Sequence, residues 1–135
     1  MKLLKLLKKC EILDANVDFD IDISSLASDS RKIKKNDVFV AIDGENRDGN
    51  DYIDEAMKNG AVAVVTDKIV KNSETPYVLV RSARETLSKM CSEYYGNPTK
   101  DMKVIAITGT NGKTSTAYYL YNILRKKLTK SYVIY

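Results

Sequence analysis

Apolar and polar positions along the chain form short periodic stretches that predict alternating helices and strands. Leu3, Leu6, Leu7 and Cys10 recur at helical spacing, which predicts a short amphipathic helix. Lysines interrupt this segment, so it lacks the continuous apolar core of a signal peptide, and we expect it to pack on the protein's own core rather than on a membrane. Apolar and polar residues then alternate strictly over 19–24, the pattern of a half-exposed strand.

Three apolar runs rich in valine and alanine predict interior strands, because each is too short to be a helix. They are 38–42, 61–65 and 77–80. Asp51 is the predicted N-cap of a helix that runs to about Asn59 and ends at Gly60. A second amphipathic helix covers 83–95. It ends before Pro98, because proline disfavours helical geometry at the residue before it, and we place a domain boundary there.

The last part of the chain is predicted to be a strand, a glycine-bearing turn, a helix and a second strand. The two strands are the apolar runs 104–107 and 132–135. The predicted buried stripe of the helix consists of Ala117, Leu120, Tyr121, Leu124 and Leu128. Strands and helices thus alternate throughout, which indicates an α/β protein. One helix and two strands cannot cover a parallel sheet, so we expect this chain to be the front end of a larger protein.

The segment between that strand and that helix has the chemistry of a phosphate-binding loop. Gly109 and Gly112 let backbone N–H groups approach an anion without an intervening Cβ, and the helix start adds its positive dipole end. Lys113 supplies a positive charge, and the Thr114 hydroxyl suits Mg²⁺. The general P-loop pattern needs a glycine where this chain has Ile107, which disfavours a GTPase or an ordinary kinase. A glycine turn without a ligand is the alternative.

Composition and charge narrow the class of protein without identifying a ligand. The chain has 135 residues, of which 44% are hydrophobic and 30% charged, as in ordinary globular proteins. Its net charge of +4 comes largely from residues near both ends, so it indicates neither a nucleic-acid nor a membrane partner. Cys10 and Cys91 lie far apart, and the chain contains no histidine. We predict a reduced, cytoplasmic, monomeric protein without a zinc site.

Beyond these patterns, the loop Thr108–Thr114 resembles the ATP loop of the Mur ligase family. Its lead-in, Tyr94–Pro98, is similar to that of the family branch that adds the third residue of the peptidoglycan stem peptide. Ser115 stands where the family usually has threonine, and both residues supply a hydroxyl. The likeness covers nearly the whole chain, since it extends upstream through Asp29-Ser30-Arg31, the strand 37–42, Gly44 with Asp48-Gly49, and 60–65.

The resemblance implies a division of roles between two domains. Residues 1–98 would be a small α/β domain that binds the UDP end of UDP-MurNAc-L-Ala-D-Glu, and 99–135 would be the incomplete start of an ATP-binding central domain. The implied uridine-nucleotide contacts are Ser28, Ser30, Glu45, Asn46 and Arg47. The implied ATP contacts are Gly109, Thr110, Asn111, Gly112, Lys113, Thr114 and Ser115. Lys113 would neutralise charge on the transferred phosphate, and Thr114 would help hold Mg²⁺.

The activity implied by the resemblance is ATP-dependent amide ligation. ATP would phosphorylate the D-glutamate side-chain carboxylate, and a diamino acid, diaminopimelate or lysine, would attack the acyl phosphate. This chain alone is not expected to catalyse the reaction. Two alternatives stay open, the sister ligase that adds D-Ala-D-Ala and a noncatalytic module that binds a uridine nucleotide. Asp29 and Arg31 also have two interpretations, a structural ion pair or direct ligand contacts.

Overall fold

A mixed five-stranded sheet is the framework of the first of two units, Met1–Pro98; the second unit begins at Thr99. The structure, a computed structural model, describes residues 1–45, 47–70, 72 and 74–127. The sheet order is β1-β5-β4-β3-β2. The four strands β2 to β5 run parallel, and β1 lies antiparallel to β5 at one edge. The strands are β1 (Ile12–Asn16), β2 (Leu26–Ala27), β3 (Asp37–Ala41), β4 (Ala61–Thr66) and β5 (Tyr77–Val80).

Helices cover both faces of this sheet. The α-helices of the chain are α1 (Leu3–Leu7), α2 (Ile53–Lys58), α3 (Ala83–Tyr94) and α4 (Lys113–Leu124). Val38 and Val40 of β3 face a core shared with α1 and α3, whereas Phe39 and Ala41 face a core shared with α2. All five residues of β3 are therefore buried, which explains why this strand reads as a continuous apolar run without alternation. The predicted α/β class is confirmed.

The interior strands and helices of the first unit lie close to their predicted positions. The predicted N-cap at Asp51 is wrong, because Asp48 instead accepts the Asn50 N–H at 2.9 Å and begins a 3₁₀ helix at Gly49–Tyr52. Helix α2 follows directly after that turn. Gly60 has a φ of +108°, a left-handed conformation that favours glycine and ends a helix. The predicted stop of α2 is thus confirmed.

The alternating segment 19–24 is not a strand, and this prediction is wrong. Its backbone makes a single isolated bridge between Asp22 and Lys2. The carbonyls of Phe19 and Ile21 instead accept the N–H groups of Leu4 and Leu3, at 3.0 and 3.1 Å. Those N–H groups belong to the first turn of α1 and have no partner within the helix. The segment therefore supplies hydrogen-bond acceptors to the start of α1 and does not pair with a strand along its length.

The edge strand β1 was not predicted from the sequence. Four of its five residues are exposed, so it shows neither the alternation nor the apolar run that marks a strand. Its pairing with β5, from Ile12 opposite Val80 to Asn16 opposite Tyr77, is what makes it a strand. An exposed edge strand is defined by its backbone hydrogen bonds to the neighbouring strand, and these bonds leave no periodic pattern of side chains in the sequence.

The second unit consists of an extended segment, the glycine loop and helix α4. The predicted buried strand 104–107 is not formed, and Val104 is 70% exposed. A strand needs a hydrogen-bonded neighbour, and the described residues of this unit provide none; the predicted partner 132–135 lies outside them. The predicted helix is confirmed as α4. Its predicted stripe (Ala117, Leu120, Tyr121 and Leu124) is half-buried, while Leu128 lies outside the described residues.

Within the described ranges, no helix is both long and apolar enough to cross a bilayer. The first helix, α1, packs on the core of its own unit, as predicted, because Leu3, Leu6 and Leu7 are buried in the cluster that includes β3 and α3. Leu4 points away and is 61% exposed.

This arrangement predicts that Leu6→Ala destabilises the protein far more than Leu4→Ala. Leu6 is fully buried, so its truncation should lower the free energy of unfolding by about 2–5 kcal/mol. Leu4→Ala is the matched control in the same helix, with an expected change within about 0.5 kcal/mol. Urea unfolding followed by circular dichroism measures both. Equal effects would show that α1 does not pack on the core as described.

Candidate functional site

A pocket of about 420 Å³ opens at the carboxyl ends of β2 and β3. Ligands of parallel sheets commonly bind at this end of the strands. Three residues predicted from the sequence, Ser28, Ser30 and Arg47, line it together. Of the other two, Glu45 is exposed and outside the lining, and Asn46 is not among the described residues. The full lining is Ser28, Asp29, Ser30, Arg31, Phe39, Ile42, Arg47, Gly49, Tyr52 and Glu55.

Ser30 is held in the pocket wall by two side chains from the α2 region. It is 6% exposed, and its hydroxyl donates a hydrogen bond to Glu55 Oε2 at 2.8 Å. Its carbonyl accepts from Asn59 Nδ2 at 3.0 Å. The sequence analysis missed Glu55 and Asn59 because they follow Ser30 by 25 and 29 residues and belong to no local motif. Only the packing of the 3₁₀ helix Ser30–Lys32 against α2 brings them together.

Asp29 and Arg31 form a forked ion pair beside Ser30. Arg31 Nε and Nη2 donate to the two Asp29 carboxylate oxygens, each at 2.9 Å, and the Arg31 N–H donates to Oδ1 at 3.1 Å. These bonds, chiefly those from the guanidinium, lower the pKa of Asp29 to about 2. The structure thus shows the ion pair, and because both residues also line the pocket, a direct ligand contact stays a prediction. The ion pair uses two of the five guanidinium donors of Arg31.

Arg47 is carried by a tight turn that leaves β3 and returns to the 3₁₀ helix Gly49–Tyr52. The Gly44 N–H donates to the Arg47 carbonyl at 3.0 Å, and Asp43 and Asp48 face each other across an isolated antiparallel bridge. A Cβ on Gly49 would lie 2.6 Å from backbone atoms of Ile42, so only glycine fits there without a shift of the chain. Asp48 and Gly49 therefore both serve the turn.

Lys68 bridges the two carboxylates that close this turn. Its Nζ donates to Asp43 Oδ2 at 2.8 Å and to Asp48 Oδ2 at 2.6 Å. Like charges opposite each other in a strand pair are destabilising, so the ammonium removes a repulsion at the base of the turn. The two carboxylates raise the pKa of Lys68. In return the hydrogen bond from Lys68 is the main cause that lowers the pKa of Asp48 to about 2.

Two further contacts tie the turn to its surroundings. Arg84 Nη2, in the first turn of α3, donates to the Asp43 carbonyl at 3.1 Å. The Thr66 hydroxyl, at the end of β4, donates to Asn50 Oδ1 at 2.5 Å. The turn that carries Arg47 is therefore bound to the end of β4, the segment after it and the start of α3. No sequence pattern indicated these partners.

The glycine loop of the second unit presents an uncapped helix start. Gly112 has a φ of +75° and is the N-cap of α4, and no side chain accepts from the first turn. The N–H groups of that turn are thus available to an anion. Lys113 Nζ donates to the Gly109 carbonyl at 2.6 Å, which keeps the ammonium beside the loop. The predicted loop residues from Gly109 to Ser115 are all exposed.

The described residues contain no cluster of three or more His, Cys, Asp or Glu side chains that would hold a metal ion. Thr114 lies in the first turn of α4 and is exposed. A single hydroxyl fits Mg²⁺ that is held mainly by phosphate oxygens and water, which is the common arrangement for this ion.

Family models match both units. The model described as "Mur ligase family, catalytic domain" matches residues 22–95, and that described as "Mur ligase middle domain" matches residues 107–135. The chain belongs to the Mur ligase family. The first match contains the pocket and the second contains the glycine loop, so both candidate sites lie in segments that the family models cover.

The chain is also similar in sequence to individual members of the family. The chain is 49% identical to the UDP-N-acetylmuramoyl-L-alanyl-D-glutamate–2,6-diaminopimelate ligase of Caldanaerobacter subterraneus, over 82% of this chain and 23% of that protein. It is 41% identical to the enzyme of the same name from Clostridium tetani, over 93% of this chain and 27% of that protein. The chain thus spans about a quarter of the length of these relatives.

Solved Mur ligase structures resemble the chain as well. The MurF ligase of Thermotoga maritima, in complex with ADP, is 40% identical with a TM-score of 0.58, over 76% of this chain and 23% of that one. A diaminopimelate ligase structure has a TM-score of 0.73 at 18% identity, over 94% of this chain and 26% of that one. At that identity the second likeness shows the fold alone.

The Lys68 contacts predict how stability depends on acid. The pKa of Asp48 lies below its usual 3.8, at about 2, so the protein gains stability from Asp48 above pH 3.8 and loses it as the pH falls towards 2. In Lys68→Met the main cause of the shift is gone, and we expect a weaker loss of stability across that pH range. Urea unfolding at a series of pH values measures it.

Lys5→Met is the control for this experiment. Lys5 is exposed on α1, and it forms no ion pair with any residue that the structure describes. Lys5→Met keeps the contacts of both Asp48 and Asp29, so the curve of its stability against pH should run parallel to that of the wild type. A curve for Lys68→Met that also runs parallel to the wild type would contradict the described contact.

Proposed function

We propose that this chain is the N-terminal part of an ATP-dependent amide ligase that adds a diamino acid to UDP-MurNAc-L-Ala-D-Glu. The observation that carries the proposal is the pocket that brings Ser28, Ser30 and Arg47 together. Arg47 follows the two serines by 17 residues or more, and the resemblance to Mur ligases implies a contact of all three with the uridine nucleotide. The names of the relatives from C. tetani and C. subterraneus support diaminopimelate as the amino acid.

The first unit, in this proposal, binds the UDP end of the substrate. Ile42 and Tyr52 line the pocket beside the serines, and because both are only half-buried they offer an apolar surface to the flat uracil ring. The Ser28 hydroxyl can both donate and accept hydrogen bonds, whereas the Ser30 hydroxyl, which donates to Glu55, can accept one from uracil or ribose. Arg47 supplies a guanidinium for the diphosphate, whose oxygens it can contact in pairs.

The second unit would bind the phosphates of ATP. The N–H groups at the uncapped start of α4 and the ammonium of Lys113 are the groups that an anion requires. Lys113 would leave the Gly109 carbonyl, which it contacts in this structure, and neutralise charge on the β- and γ-phosphates as it develops. Thr114 would contribute one hydroxyl to Mg²⁺. ATP supplies the phosphoryl group that activates the substrate carboxylate.

The role proposed for this chain is therefore recognition of two substrates, within a ligase about four times its length. We expect a cytoplasmic monomer, because both proposed substrates are soluble nucleotides and neither site calls for a second copy. The sister ligase that adds D-Ala-D-Ala is the second candidate, supported by the 40% identity to the MurF of T. maritima, against 41% and 49% to the two diaminopimelate ligases. The choice between them depends on the peptide end of the substrate.

Calorimetric titration of the chain with UDP tests the first site. We expect saturable binding that weakens by about tenfold or more in Arg47→Ala, because a hydrogen-bonded charge pair is lost. Arg81→Ala is the matched control, since Arg81 is exposed and pairs with Glu11 at 3.3 Å, outside the pocket lining. A folded chain that does not bind UDP, or equal losses in the two variants, would overturn the assignment.

A separate titration with Mg-ATP tests the loop. Lys113→Met removes the loop ammonium while it keeps a long side chain, and we expect the dissociation constant for Mg-ATP to rise by about tenfold. Lys126→Met is the control, because Lys126 is exposed beyond the other end of α4. Affinity for UDP should stay unchanged in both variants. Unaltered ATP affinity in Lys113→Met would contradict the proposed role of Lys113.

A further inference from the structure

The hydrogen bond between Ser30 and Glu55 has only one possible direction. The Ser30 Oγ lies 2.8 Å from Glu55 Oε2, and a carboxylate accepts hydrogen bonds but donates none. The hydroxyl must therefore donate its single proton to Glu55. What remains for anything else in the pocket is the oxygen's lone pairs, so towards a ligand this serine is an acceptor.

Ser30 is held firmly enough for this direction to matter. The residue is 6% exposed, its carbonyl accepts from Asn59, and the preceding Asp29 caps the 3₁₀ helix in which it lies. Both its hydroxyl and its backbone are thus bound to groups from α2 or its own turn. A new orientation of the hydroxyl would leave the Glu55 contact unmade.

The charges of the pocket indicate which part of a nucleotide belongs at Ser30. Arg31 is engaged by Asp29, and within the described part of the chain Glu55 forms no ion pair. A negative charge beside Ser30 repels a diphosphate, whereas the guanidinium of Arg47 attracts one. The uncharged base is therefore the part of a nucleotide that fits beside Ser30 and Glu55.

We propose that Glu55 is a positioning residue that sets base specificity, because it makes Ser30 an obligatory acceptor towards the ligand. A ring nitrogen that carries a proton, such as the imide N–H of uracil, matches this acceptor. The corresponding ring nitrogen of cytosine carries no proton, so its lone pair would face a lone pair of the Ser30 oxygen and no hydrogen bond would form. The inference rests on the proposed binding of a uridine nucleotide and adds the group that selects the base.

The test compares UDP with CDP on the full chain by calorimetric titration. We expect the wild type to prefer UDP, and Glu55→Ala to reduce the ratio of the two affinities by about five- to tenfold, because the freed hydroxyl can turn its proton towards cytosine. Glu55→Gln, which keeps the size of the side chain, should reduce the ratio less, since its amide still offers one acceptor. Circular dichroism confirms that each variant folds.

Two controls separate this role from a general effect of charge or structure. Asp54→Asn removes a negative charge from the neighbouring position of α2, and Asp54 does not line this pocket; the UDP/CDP ratio should stay at the wild-type value. In a Ser30→Ala background, Glu55→Ala should no longer change the ratio. A change that persists there would overturn the proposal that Glu55 acts through Ser30.

The outcomes also separate this inference from the proposed function. If the wild type prefers UDP and folded Glu55→Ala keeps the same preference, the inference is wrong and the uridine site stands. If the folded wild type binds neither nucleotide, or binds both equally, the uridine assignment fails and the inference fails with it.

Discussion

Burial of β3 on both faces is the constraint on which the first unit depends. Val38 and Val40 pack on one side and Phe39 and Ala41 on the other, so the strand cannot shift by one residue without exchanging its two sets of side chains. Parallel pairing with β2 and β4 then fixes where these strands end. The pocket is built from the segments that leave those ends, so its position follows from the burial of the strand.

Ion pairs hold the turn that follows β3. The turn after β3 brings Asp43 and Asp48 opposite each other, an arrangement that is unfavourable until a cation lies between them. Lys68, which follows β4, supplies that cation, and Arg84 of α3 binds the Asp43 carbonyl. The turn that carries Arg47 is thereby connected to two other elements of the unit. The contacts are partly exposed, so salt should weaken them.

The two candidate sites are built by different means. The glycine loop depends on neighbouring residues alone: a left-handed glycine, a helix start and a lysine that contacts the loop's own carbonyl. The pocket depends on residues from separate segments between 28 and 55, and two pairs of its side chains, Ser30 with Glu55 and Asp29 with Arg31, are already hydrogen-bonded to each other. A ligand at the loop meets free N–H groups, whereas a ligand in the pocket meets the Ser30 hydroxyl and the Arg31 guanidinium, whose directions Glu55 and Asp29 set beforehand.

The sequence by itself determined the interior strands and the helices, because burial on both faces leaves a continuous apolar run and burial of one helix face leaves helically spaced apolar residues. The glycine loop was determined by its neighbouring residues alone. The strands at 19–24 and 104–107 were predicted wrongly, and β1 was missed, because a strand exists only where a neighbouring backbone pairs with it. Ser28, Ser30 and Arg47 were identified through family resemblance. Glu55, the partner of Ser30, and Lys68, the partner of Asp43 and Asp48, were decided by the tertiary structure alone, since contacts across 20 residues or more have no local pattern.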